Sequence, residues 1–161
     1  MDRRGFITAA AVTAGSAFLG NKAFAFSEEN LDSDLIVSEP KVLKAMRDVL
    51  KTTTDCVAAG NLCIQHCQEE MIKGHGKEFK NCSLAAHQMV PVCEMIGRLA
   101  AFKAKSIADF LDGCIKACDA CFNACKEHEA HFGHGMHLEC KRCMEACAAC
   151  REACRQLRAM L

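Results

Sequence analysis

The sequence predicts an all-α fold, an antiparallel up-down-up-down four-helix bundle with a cysteine-lined core. Three observations carry that expectation. From about Ser38 the 161-residue chain is dominated by helix formers. Only short breaks interrupt it, at Gly74-His75-Gly76, at 102–105 and at Gly133-His134-Gly135, and such short connections force neighbouring helices to run antiparallel. Lastly, the alternating steps of three and four residues that mark the inner seam of a bundle are filled by cysteine, of which there are 14.

Taken in order, residues 1–25 read as an export signal. Arg3-Arg4 opens it, an apolar run follows over 9–19, and Ala23-Phe24-Ala25 supplies a cleavage site. The pattern resembles a twin-arginine leader, which implies export of an already folded chain and a periplasmic location. The run is far shorter than the roughly 20 residues needed to span a bilayer, so stable membrane insertion is not expected. Residues 26–38 are polar and acidic and read as a linker or loosely docked N-terminal arm. The bundle occupies 39–161. Its first helix is expected over 39–73, with Ser38 and Pro40 at its start. The second covers 77–101, where Pro91 releases the carbonyl of His87. The third runs over 106–131, opened by Ser106 and Asp109 at capping-box spacing, and the fourth over 136–160.

Composition excludes several functions. Lysine plus arginine equals aspartate plus glutamate at 20 each. Nucleic-acid binding, which needs a cationic surplus, is therefore not expected. There is no Trp and no Tyr, so no platform for stacking bases or sugars. Removing the leader leaves a slightly acidic chain that keeps every cysteine. The cysteine content points to a disulfide scaffold or a metal-loaded protein.

The placement of the cysteines discriminates between these. Cys114, Cys118, Cys121 and Cys125 follow steps of 4, 3 and 4 on the third helix. On the fourth, Cys140, Cys143, Cys147, Cys150 and Cys154 follow 3, 4, 3 and 4. Cys56, Cys63 and Cys67 hold the same register on the first, with Gly60 in the remaining slot. On the second helix, a 4-3-4 walk from Cys82 to Cys93 passes Ala86 and Met89. All fourteen thus face one axis. Disulfide domains instead use irregular spacing to staple loops. Iron–sulfur motifs wrap their cluster in loops, and zinc favours isolated sets of four. A continuous stripe suits many soft monovalent ions, and thiolates select Cu(I). One Cu⁺ per thiolate leaves the interior neutral, whereas Zn²⁺ in four thiolates leaves two negative charges per site in a low-dielectric core. Multiple Cu(I) ions per chain are therefore expected. An iron–sulfur electron carrier of ferredoxin type, and a sponge for zinc or toxic soft metals, stay open as alternatives. No catalytic constellation is visible, so an enzyme is not expected.

These residues resemble the bacterial copper storage proteins, over about 39–160 and on the strength of the cysteine stripe; the leader resembles their exported branch. The resemblance implies Cu(I) storage without turnover, and supply to a copper-dependent membrane oxygenase or a copper chaperone. It also implies a homo-oligomer, commonly a tetramer.

The two ends of the stripe differ. At one end it continues into Met71, His128, His131, Met136 and His137, with His75 and His134 in the adjoining loops. At the other it continues into Met46, Val49, Ile107, Leu111, Leu157 and Leu161. Copper is expected to enter at the Met/His end, the other end being a hydrocarbon plug. The candidate ligands are the fourteen cysteines with Met71, Met89, His128, His131, Met136 and His137; His66 and His87 do not continue the stripe cleanly and are not among them.

Overall fold

A computed structural model of the chain describes residues 35–161. The expected leader and most of the expected linker lie outside the described residues. Helix α1 spans Pro40–Ile72. Glu39 caps it, its carboxylate accepting from the Val42 N–H at 2.7 Å, while Pro40 occupies the first turn, where its missing N–H costs nothing. The helix closes at Gly74, whose φ of +101° is the left-handed conformation that glycine adopts without strain. Helix α2 spans Gly76–Ala101 and carries Pro91 in its interior.

The sequence places the third and fourth helices correctly but misjudges their ends. Residues 105–109 form a 3-10 turn that brings Ile107 into the core, and Asp109 makes no capping bond. Helix α3 therefore starts at Leu111 and runs to Lys126. A separate single turn, α4, covers Glu129–Phe132, because His128 leaves the helical region (φ −93°, ψ 3°). Helix α5 spans Leu138–Arg158, and the expected start at 136 is pre-empted by His137, whose φ of +53° cannot continue a helix.

α1 packs on α2 and α5, and α3 packs on the same two helices, so the four long helices ring a common axis. Outside, Asp119 of α3 receives Arg151 at 2.5 Å and Arg155 at 3.2 Å from α5, and Arg151 also lies 4.3 Å above the Phe122 ring. The final residues of the expected linker are docked. Val37 N–H donates to the Lys103 carbonyl at 2.8 Å and Lys105 N–H to that of Leu35 at 3.0 Å, pinning 35–37 against the α2–α3 connection. Beside that strap Met46, Val49, Ile96, Ile107, Leu111 and Leu157 form a fully buried hydrocarbon plug. Leu161 does not join it. It lies beyond the end of α5 and is 51% exposed. No helix among the described residues is long and apolar enough to cross a membrane.

Candidate metal centre

Each long helix turns its three-four stripe toward the bundle axis, and every one of the fourteen cysteines is 0% exposed and free. Their sulfurs form a stack of contacting levels. At the histidine end Cys63, Cys67, Cys82 and Cys140 converge, with Cys63 Sγ 3.5 Å from Cys82 and 4.0 Å from Cys67. Next come Cys63, Cys125 and Cys143, then Cys121, Cys143 and Cys147, with Cys121 and Cys143 at 3.6 Å. Cys56, Cys93, Cys118 and Cys150 follow, and Cys114, Cys150 and Cys154 close the column against the plug. Down this series the numbering falls along α1 and α3 and rises along α2 and α5, which is the antiparallel arrangement.

The thiols of such a stack titrate against one another. Hydrogen bonds from Cys118 and Cys147 hold Cys56 down to about 7 despite its burial. Cys82, hydrogen-bonded first with Cys125, and Cys150, hydrogen-bonded first with Cys114, are also pushed down. Cys154 is pushed up by its bonds with Cys114 and Cys150 and by burial.

Met89 is wholly buried within the column, its Sδ accepting from Cys56 at 3.3 Å and from Cys93 at 3.4 Å. Met71 is half-buried beside the upper levels. The remaining candidates form something the sequence does not foretell. His128 is 4% exposed and stacks on Phe79 with ring centres 4.4 Å apart and planes 7° from parallel; its Nε2 has no hydrogen-bond partner. His137 packs against the same phenyl ring at 4.9 Å and contacts His66 through Nδ1 and Nε2 at 3.0 Å. Burial, with His66 and His128 nearby, pushes His137 down and keeps it neutral near pH 7. This end is therefore covered by an aromatic lid of Phe79, His66, His128 and His137.

His131 is exposed, its ring meeting that of His137 with centres 5.6 Å apart, and Met136 is 46% exposed. The turns between α3 and α5 carry both away from the column. No histidine among the described residues joins a convergent set of three or more Cys, His or acidic donors; all five such sets are purely cysteine. His75 is held by Glu70 at 2.9 Å, with Lys73 on the other carboxylate oxygen at 2.7 Å. Two residues of the lid escape sequence reasoning. Phe79 had a signal, since it precedes Cys82 by three and continues the stripe. His66 had none, because it lies off the register and reaches His137 sideways.

The fold and the site together define a class, a four-helix bundle whose interior is lined with cysteines in sets that could hold metal. The chain belongs to the copper storage protein family, whose model matches residues 42–159, from the first turn of α1 to just past the end of α5. Among curated proteins none matches the chain at a significant level. The family is one of storage, not catalysis, and copper is its cargo.

Proposed function

We propose that the chain stores many Cu(I) ions as thiolate complexes inside the bundle. We further propose that it is exported by the twin-arginine route to the periplasm and supplies copper to an exported or membrane copper enzyme. The observation that carries the storage reading is the unbroken, wholly buried column of fourteen free thiols. Neighbouring sulfurs lie 3.4–4.0 Å apart. That is a little less than twice a metal–thiolate bond of roughly 2.3 Å, so small side-chain adjustments admit a two-coordinate ion between a pair. No lysine or arginine whose burial is described is buried. Nothing in the interior would offset the charge of repeated Zn²⁺–tetrathiolate sites, whereas Cu⁺ leaves each thiolate neutral.

The lid end is the route for copper in this reading, because imidazole and thioether hold Cu(I) more weakly than thiolate and the opposite end is hydrocarbon. Assembly into a homo-oligomer, in particular a tetramer, belongs to the same proposal. The decisive experiment is anaerobic titration of reduced protein with Cu(I) against a chromophoric chelator. Uptake on the order of one ion per cysteine is expected. Saturation at one or two ions defeats storage, and brown visible absorbance after iron and sulfide supply would instead favour an iron–sulfur carrier. Cell fractionation with Arg3→Lys and Arg4→Lys tests export, with the doubly substituted chain expected to stay in the cytosol.

A further inference from the structure

The column is not equally rich in sulfur on all sides. On α3 and α5 cysteines succeed one another without a gap. On α1 and α2 the seam positions between the upper pair, Cys63 and Cys82, and the lower pair, Cys56 and Cys93, are Gly60, Ala86 and Met89, and the first two offer no donor. The sulfur on that side of the waist comes from Met89. We propose that Met89 is a copper ligand there, its thioether joining the Cys56 and Cys93 thiolates in a mixed site that hands ions between the lid-side thiols and the deeper ones at Cys114, Cys118, Cys150 and Cys154. This inference rests on the storage reading above.

Two independent features support it. The first is aim, because the Cys56 and Cys93 thiols, from different helices, both donate to the same Sδ, at 3.3 and 3.4 Å. The Sδ thus stands where thiols of two helices meet. The second is accommodation. A Cβ on Gly60 would stand 2.8 Å from Met89 Cε and 2.7 Å from Val90 Cγ2. The seam position that would continue the α1 stripe is thus occupied by the Met89 and Val90 side chains instead.

The chemistry of the donor fits a transfer position. A thioether has no proton to lose and brings no charge, so an ion bound there displaces protons from Cys56 and Cys93 alone. A soft, neutral, polarisable sulfur binds Cu(I) while competing poorly with the thiolate pairs above and below. An ion at the waist is therefore held less firmly than its neighbours on either side and can move to either.

The test uses selenomethionine-labelled full-length protein loaded anaerobically with Cu(I), read by selenium X-ray absorption and by copper release to a chelator. Wild type should show copper–selenium scattering, and Met89→Leu, which keeps the volume, should lose most of it. In that variant the release of the deeper ions should slow by about tenfold and separate as a distinct phase. Unchanged scattering, or unchanged release, overturns the proposal. A second variant, Met71→Leu with Met136→Leu, removes the two thioethers at the lid end and should retain the signal; its disappearance there also overturns it. Wild type that takes up only one or two ions defeats the storage reading, whereas wild type that fills normally without copper–selenium scattering defeats this inference alone.

Discussion

Two side chains at the histidine end make opposite demands on their surroundings. Phe79 is almost wholly buried and stacked on the His128 ring, and truncating it opens a void in the aromatic lid. Phe79→Ala is expected to cost about 3–5 kcal/mol of apo stability, as measured by urea melts under reducing conditions. It should also speed copper exchange with a chelator, while capacity stays unchanged. Glu70 works through charge. Hydrogen bonds from Lys73 and His75 draw its carboxyl from 4.5 down to about 2. A folded-state value below the unfolded one stabilises the fold above the unfolded value and loses that contribution as pH falls through the folded one. Glu70→Gln should therefore lower stability at neutral pH and flatten the acid limb between about 4.5 and 2, which melts at a series of pH values will show.

Helix packing raises a different question, namely what the stripe tolerates in place of cysteine. Gly60 is the informative position. Alanine there gains about 1 kcal/mol of helix propensity but must displace Met89 and Val90, so Gly60→Ala should destabilise the apo bundle by about 1–3 kcal/mol on balance. A thermal melt in which the variant gains stability would mean that α1 and α2 separate more easily than their packing implies. At this scale much of the structure is legible in the sequence. The three-four cysteine rhythm fixes four helices and their inner faces, and Pro40 and Gly74 mark the bounds of the first. The connection from α3 to α5 is not legible, because its course depends on backbone angles at His128 and His137. A histidine in the left-handed region has no signature in composition or periodicity, since tertiary contacts such as the 3.0 Å approach to His66 hold it there. That local turn sets where the Met/His-end candidates lie, leaving His131 and Met136 exposed while His137 reaches His66. The 3-10 turn at 105–109 was misread for a related reason. Its sequence satisfies a capping pattern, but burying Ile107 wins.

The bundle as a whole replaces most of the branched hydrocarbon of an ordinary core with small thiols, leaving the true hydrocarbon packing at one end. Metal should accordingly act as a core component. Anaerobic loading with Cu(I) is expected to raise the thermal midpoint progressively with each added ion, because any ligand bound only by the folded state stabilises it. Stripping the metal with a chelator should reverse the shift without loss of helicity by circular dichroism. A midpoint that is flat across the titration would place the metal outside the core. The antiparallel stack of levels also has an architectural consequence. On α5 the sulfurs from Cys140 to Cys154 occupy fourteen residues of rise, about 21 Å of helix. Each further heptad inserted in register would extend the stack by about 10 Å and contribute two more inward positions per helix. Capacity in this design is a length, set by counting turns, and can be enlarged or cut back without redrawing any single site.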